Sequence, residues 1–354
     1  VRLIVTGGAG FIGSNVVRAA ITRGHSVLNI DALTYAGDLR AVESVAAQPT
    51  YQFAQADIAD AARMRDLIED YAPDAILNLA AESHVDRSID DPGAFIRTNV
   101  VGTYTLLDAA YRYWAAMAEP AKGAFRFIQI STDEVYGSLG RDGHFVETTP
   151  YAPNSPYSAS KASGDHLARA WHATYGLPVL VTNCSNNYGP FQHPEKLIPT
   201  IIRNALDGTA IPIYGDGQNR RDWLHVDDHV AGLFAALERG VPGESYNFGG
   251  RAEVANLDMA HTICRLLDQR APGNRERGTL IEFVKDRPGH DRRYAIDPAK
   301  AERDLGWRPA RSFDDGLAAT IDWYLAHRDW LSAKGSEIGR LGLGRDADQA
   351  AGGK

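Results

Sequence analysis

Two stretches of the chain carry side chains able to move protons and break a carbon–oxygen bond: Ser131-Thr132-Asp133-Glu134, and Tyr157-Ser158-Ala159-Ser160-Lys161. Tyr157 and Lys161 are four apart and share a face on a helix. An ordinary tyrosine, with a pKa near 10, is a poor base at neutral pH. A neighbouring ammonium and a positive ring brought beside it favour the phenolate, which could take a proton from an alcohol while hydride leaves the same carbon. Two adjacent carboxyls tend to be driven apart in pKa, giving one acid and one base. Such a pair suits removal of a carbon-bound proton and expulsion of a nearby hydroxyl. Alternate residues of extended chain face the same side. Thr132 and Glu134 can therefore share a site with Asp133 only if the backbone turns out of the strand there.

The elements that must position these groups follow an alternating rhythm. Strand-like runs at Leu3–Thr6, Val27–Ile30, Tyr51–Gln55, Ala75–Leu79, Phe125–Ile130 and Val179–Thr182 are separated by helical stretches near 12–23, 60–70, 93–118 and 157–175. That rhythm predicts an α/β fold with a doubly wound, Rossmann-type parallel sheet. The first strand runs into Gly7-Gly8-Ala9-Gly10-Phe11-Ile12-Gly13. Glycines at Gly7, Gly10 and Gly13 suit a tight turn, a close approach of backbone N–H groups to a pyrophosphate, and close helix–strand packing. Asp31 falls at the end of the second strand, where a carboxylate accepts from an adenosine ribose 2′-OH and repels a 2′-phosphate, so NAD is favoured over NADP. Asp57 and Ile58, read as ending the third strand, can reach the adenine. Leu79, Ala80, Ala81 and Ser83, read as ending the fourth, leave room for the cofactor at the carboxyl edge of the sheet. Leu33, Thr34 and Thr98 complete the cofactor candidates.

The chain has 354 residues, 44% hydrophobic, with a formal net charge of −8. That charge argues against nucleic acid or an anionic membrane as a bulk partner. No apolar run approaches the roughly 20 residues that span a bilayer. Val1-Arg2-Leu3-Ile4-Val5 already reads as core, so no secretory signal is expected, and the two cysteines, Cys184 and Cys264, make no disulfide framework. A reducing cytoplasm fits. His225, His229 and His290 lack metal spacing, and no metal is assigned. After about residue 186 the rhythm breaks and Pro and Gly become denser. The expected division is 1–188 with a returning segment at about 223–250 for the cofactor, 189–222 with 251–331 for a smaller, interleaved substrate lobe, and 332–354 as a flexible tail.

Ala80-Ala81-Glu82-Ser83-His84-Val85-Asp86, Ser131 to Gly137, Tyr157 to Lys161, Asn186 to Pro190, Arg221-Asp222-Trp223 and Asp286 to His290 together resemble the extended short-chain dehydrogenase/reductase family, over roughly residues 1–330. Within it the chain is most similar to the branch that dehydrates dTDP-glucose. In the relatives, 4-epimerases lack the Asp-Glu pair, and GDP-mannose dehydratases and nucleotide-sugar decarboxylases keep the glutamate without the aspartate. The resemblance implies an NAD-dependent hydro-lyase making dTDP-4-keto-6-deoxyglucose. It implies that Tyr157 takes the 4-OH proton, Lys161 supports it, Glu134 takes the C5 proton, Asp133 protonates the leaving C6 hydroxyl, and Thr132 holds O4. It also implies nucleotide-sugar contacts from Ser83, Thr132, Asn186, Lys196, Leu197, Pro212, Tyr214, Arg221, Asn256, Arg287 and His290, with Asn187 on the nicotinamide side. Relatives dimerise through a four-helix bundle, here the stretches near 100–118 and 157–175, and Tyr104, Leu107, Tyr111 and Trp114 form an apolar stripe at helical spacing that core packing explains equally well. The competing readings are another epimerase or decarboxylase on this scaffold, and a non-catalytic NAD-binding regulator.

Overall fold

The computed structural model describes residues 1–332. Twelve strands are found among them: β1 (Arg2–Thr6), β2 (Ser26–Asp31), β3 (Tyr51–Gln55), β4 (Ala75–Asn78), β5 (Arg126–Thr132), β6 (Val179–Cys184), β7 (Asn186–Tyr188), β8 (Ile211–Tyr214), β9 (Arg220–His225), β10 (Ser245–Phe248), β11 (Glu253–Ala255) and β12 (Ile281–Val284). Seven form one sheet in the order β10-β6-β5-β4-β1-β2-β3, parallel at every pairing. A parallel sheet is covered on both faces and needs strands that are apolar on both sides. β1 meets that demand. Leu3 and Val5 enter one hydrophobic layer, with Val16, Val17 and Ala20 of helix Phe11–Thr22. Ile4 enters the opposite layer, with Met64 and Ile68 of helix Ala61–Tyr71.

The strand order reverses beside β1: β2 and β3 lie on one side, β4 to β6 on the other. The crevice at the carboxyl ends of β1 and β4 is therefore the switch point at which such sheets bind ligands. All six expected strands are present; β3 has the expected bounds and the other five are shifted at one end or both. β3 stops at Gln55 and β4 at Asn78, so Asp57, Ile58 and the Leu79–Ser83 stretch belong to the loops beyond the strands.

The region read as one helix over 93–118 is divided. It contains helices Val85–Asp90 and Pro92–Phe95, a π-helical stretch Ile96–Gly102, and helix Thr103–Ala116. Pro92 opens a new helix because it lacks an N–H to continue the previous one. The wider stretch is held by tertiary contacts. The Asn99 amide accepts from Glu82 N at 2.9 Å and donates to Glu82 O at 3.0 Å and to Ser160 Oγ at 2.8 Å. The supposed apolar stripe splits accordingly: Leu107 is fully buried, whereas Tyr104 is 48% exposed.

Beyond β6, the chain alternates between two places. Helix Val226–Arg239 and β10 return to the large sheet. The order β11-β9-β7 forms one small sheet and β12-β8 another, around a separate apolar cluster that includes Ile198, Ile211, Met259 and Leu317. Near the end of the described chain, Tyr324 Oη and Trp330 Nε1 both donate to Gln192 O, at 2.9 and 3.1 Å, tying the last helices to the loop after β7. The tail expected over 332–354 lies, Ser332 apart, outside the described residues.

Candidate active site

The glycine turn after β1 is built for close approach. Gly7 has φ +68°, and a Cβ there would lie 2.7 Å from Ala80 N. A Cβ on Gly13 would lie 2.1 Å from Gly7 O. Helix Phe11–Thr22 starts at Gly10 with no capping side chain and no acidic residue in its first turn. Its first N–H groups are thus left for an anion, the arrangement that receives a pyrophosphate. Asp31 Oδ2 accepts from Ala9 N at 2.9 Å and Oδ1 from Leu33 N at 2.8 Å. Burial raises the Asp31 carboxyl and these two N–H groups lower it; each oxygen keeps a lone pair for a ribose hydroxyl.

A cavity of about 330 Å³ runs from this turn to the end of β5. It is walled by Gly7, Gly10, Phe11, Ile12, Gly13, Asp31, Thr34, Asp57, Ile58, Leu79, Ala80, Ala81, Ser83, Thr98, Thr132, Asp133, Glu134, Tyr157, Lys161, Asn186, Asn187 and Lys196. Leu33 alone among the cofactor candidates stands off the wall; its backbone orients Asp31 instead. The shape and donor set fit a dinucleotide: a bare helix N-terminus, an acid at the end of β2, and a Tyr/Lys pair at the far end.

The turn that the chemistry requires is present. β5 ends at Thr132, and Asp133–Tyr136 form one 3₁₀ turn closed by Gly137 at φ +91°. Thr132 Oγ1 accepts from Glu134 N at 3.3 Å, capping that turn. Thr132, Asp133 and Glu134 consequently line one cavity. Opposite them, Ser155 and Ser158 form a capping box and Pro156 occupies the first turn of helix Pro156–Tyr175. This fixes where Tyr157 and Lys161 emerge.

Burial acts unequally on the two acids. Asp133 is 1% exposed, and its Oδ2 has no hydrogen-bond partner. Desolvation, then the Glu134 charge, then Asp222 hold its carboxyl well above the usual range, which favours the protonated form. Desolvation raises Glu134 too, but Arg287, Arg221 and Lys196 oppose it. Both carboxyls are therefore raised, Asp133 well above its usual range, and three cations oppose the rise at Glu134 where one, Arg221, does so at Asp133.

Around Tyr157, the protein's own groups act against the phenolate. The Lys161 ammonium donates to Ile130 O at 2.7 Å, and burial lowers its own pKa. The Tyr157 hydroxyl is held well above its ordinary value by burial, then by the Glu134 and Cys184 charges, with the Thr132 hydroxyl lowering it. In the protein alone, burial outweighs the lysine.

Lys196 Nζ donates to Ser83 O at 2.9 Å, joining two cavity residues. Arg221 is buried and has no carboxylate ion-pair partner among the described residues; it donates to Arg220 O at 2.8 Å and Asp291 O at 2.9 Å. Leu197, Pro212, Tyr214, Arg221, Asn256, Arg287 and His290 are not among the walls of this cavity. Leu197 packs on the second core. Pro212 and Tyr214 lie on β8, Tyr214 edge-on to the His290 ring at 6.2 Å. Burial pushes His290 down to about 4, against Asp286 at 2.6 Å. Asn256 begins helix Asn256–Arg270 with its Oδ1 buried and unpartnered.

Several wall residues escaped the sequence reading: Glu82, Cys184, Ser185, Gln192, His193 and Glu195. Glu195 is the most informative. Its side chain is 2% exposed, 3.8 Å from His84 and 3.6 Å from Arg87. Charged residues just ahead of an apolar helix, in His193-Pro194-Glu195-Lys196, were the available signal. Asp165, four residues after Lys161 on the same helix, was another. Among the described residues, no group of three or more His, Cys, Asp or Glu is disposed to hold a metal, and no helix is long and apolar enough to cross a membrane.

Fold and site together define a dinucleotide-dependent enzyme of the extended short-chain dehydrogenase/reductase class. The family model for GDP-mannose 4,6 dehydratase matches residues 4–320. The chain is 56% identical to a dTDP-glucose 4,6-dehydratase of Xanthomonas campestris pv. campestris, over 93% of this chain and 94% of the relative. It superposes on a Streptomyces venezuelae dTDP-glucose 4,6-dehydratase crystallised with NAD and the ligand TYD, with TM-score 0.85 and 46% identity over 93% and 98% of the two chains. A UDP-glucuronic acid 4-epimerase of Bacillus cereus shares the fold at TM-score 0.82 but only 29% identity, over 92% of this chain and all (100%) of the other. The chain belongs to the dTDP-glucose 4,6-dehydratase family.

Proposed function

We propose that the chain is an NAD-dependent hydro-lyase that converts dTDP-glucose to dTDP-4-keto-6-deoxyglucose and water. The observation that carries this reading is the single turn that sets Asp133, its carboxyl held well above the usual range, beside Glu134, whose rise three cations oppose, with both lining one cavity with Tyr157. An epimerase needs no such pair.

NAD, held between the Gly7–Gly13 turn, Asp31 and the Tyr157/Lys161 pair, would supply a hydride acceptor for C4, the same hydride for C6, and a positive ring beside Tyr157. Tyr157 takes the 4-OH proton, with Thr132 holding O4. The resulting ketone acidifies C5–H, and Glu134 removes that proton. Asp133 gives its proton to the C6 hydroxyl, which leaves as water. Reprotonation at C5 completes the product. Lys161, held by Ile130 O, supplies positive charge to the ribose side. Asn186 and Lys196, with Ser83, hold the substrate; Arg221, Arg287, Asn256, Tyr214, Pro212, Leu197 and His290 serve the nucleotide end. Residues 1–188 with 223–250 carry the cofactor, and 189–222 with 251–331 carry the nucleotide sugar.

The working form in this proposal is a cytoplasmic homodimer. Ile96, Val101, Tyr104 and Tyr175 are 50%, 46%, 48% and 47% exposed on the 96–116 and 156–175 helices, an apolar face suited to a four-helix bundle. Two free, buried cysteines fit a reducing compartment.

The test is incubation of the purified protein with dTDP-glucose and with UDP-glucose, without added NAD, scoring 4-keto-6-deoxy product. Product from dTDP-glucose supports the reading; an epimerised sugar, or unchanged substrate with and without NAD, overturns it.

A further inference from the structure

Arg287 follows β12 in the second lobe, and Asp86 lies in helix Val85–Asp90, directly after the cavity-lining stretch that follows β4. Arg287 Nη1 donates to Asp86 Oδ1 at 2.9 Å, between side chains that are 18% and 7% exposed. The pair therefore bridges the two lobes from positions 201 residues apart. Arg287 Nε is buried with no partner, a donor still available to an incoming anion. The same guanidinium is the foremost of the cations that act on Glu134. Asp86 itself does not line the cavity.

We propose that Asp86 is a positioning residue: it anchors the Arg287 guanidinium at the lobe boundary, so that one cation faces both the substrate's diphosphate and the Glu134 carboxylate. This rests on the function proposed above. Arginine is suited to the task because its planar fork can satisfy one carboxylate and still present further N–H groups to a second anion. Breaking one half of a buried pair leaves the other charge uncompensated, so without Asp86 the guanidinium turns toward water. Glu134 is faced by Arg287 and Asp291 from the 285–291 segment, by Arg221 from β9, by Lys196 at the start of helix Leu197–Asp207, by Tyr157 and Tyr294, and by Asp133 on its own turn. Loss of Arg287 from this set raises the Glu134 carboxyl. If Arg287 stayed in place, deleting the Asp86 charge would instead lower it, so the sign of the change is decisive.

The experiment compares wild type with Asp86→Asn, Asp86→Ser and Asp86→Glu. It measures kcat and KM for dTDP-glucose across pH, dTDP affinity by calorimetry, and the urea midpoint. In Asp86→Asn, KM and the dTDP dissociation constant should each rise about tenfold, equivalent to about 1.4 kcal/mol, and the acid limb of kcat should move to higher pH. Asp86→Ser should do the same, and it decides the matter if the Asn variant does not fold. Asp86→Glu should restore much of both. An acid limb that stays or moves to lower pH, or unchanged KM and dTDP affinity with only a lower urea midpoint, overturns the assignment. Failure of wild type to turn over dTDP-glucose is a separate result that removes the proposed function instead.

Discussion

Ser131 Oγ donates to Asp165 Oδ2 at 2.6 Å, joining the end of the strand that leads into Asp133 and Glu134 to the helix that carries Tyr157 and Lys161. The same carboxylate oxygen accepts from Tyr151 Oη at 3.0 Å. Asp165 is fully buried, and its charge acts on Lys161. The base helix and the acid turn are thus set against each other by a short polar link beneath the cavity.

Ser131→Ala should show what that link contributes. It leaves a buried carboxylate short of one donor, a loss of about 1.5–3 kcal/mol for a bond to a charged group. The urea midpoint should fall with the m-value unchanged. A midpoint equal to wild type would mean that the link adds nothing to the fold.

Glu134→Gln separates the steps of the proposed reaction. The Tyr157 step remains, so dTDP-glucose should still be oxidised at C4, but no group is left to take the C5 proton. Absorbance of reduced nicotinamide should rise on mixing and persist, while 4-keto-6-deoxy product falls by ~10²-fold or more. Normal turnover in this variant would remove Glu134 from its role.

Much of this machinery was legible in the sequence because it depends on short-range spacing. The strands announced themselves as apolar runs, and Tyr157 and Lys161 sit at i and i+4. The segment around 96–102 was not legible. Its π-helical form depends on Asn99 reaching Glu82 and on Gly102 lying against Ile58, where a Cβ would be 2.7 Å from Ile58 Cγ1. No local pattern encodes that. Glu195 was missed for a similar reason: its neighbours His84 and Arg87 come from another loop. The setting of Tyr157 in the protein alone was not legible for a different reason. Spacing put an ammonium nearby, but spacing carries no information about burial, and burial dominates.

Tyr157→Phe tests the oxidation step. The phenyl ring keeps its edge contact with Phe95, at a centroid distance of 6.3 Å in wild type, so packing is retained. Removal of the hydroxyl should reduce the rate of nicotinamide reduction by ~10²–10⁴, measured in a single turnover. Substrate affinity should change little. A rate within about threefold of wild type would fall far short of what loss of a general base costs.

Asp133→Asn should lose activity yet stabilise the fold, and the gain should depend on pH in a fixed direction. The Asp133 carboxyl is held well above its ordinary range in the folded protein, first by burial and then by Glu134. In the unfolded chain it returns to about 3.9. Between these values the folded state binds a proton that the unfolded state has released. The favourable contribution of this group is therefore full below about pH 4 and is lost as pH rises through the folded value. An amide does not titrate and escapes that loss. Urea midpoints taken from about pH 4 to about pH 8 should favour Asp133→Asn progressively as pH rises, while kcat falls by ~10²–10⁴ for want of the acid. This is the trade of stability for activity expected where a site must bury an acid whose one oxygen accepts from Thr132 and whose other has no partner. A stability difference that stays level or shrinks with rising pH would show that Asp133 is not kept protonated in the folded enzyme. The C6 hydroxyl would then need another donor.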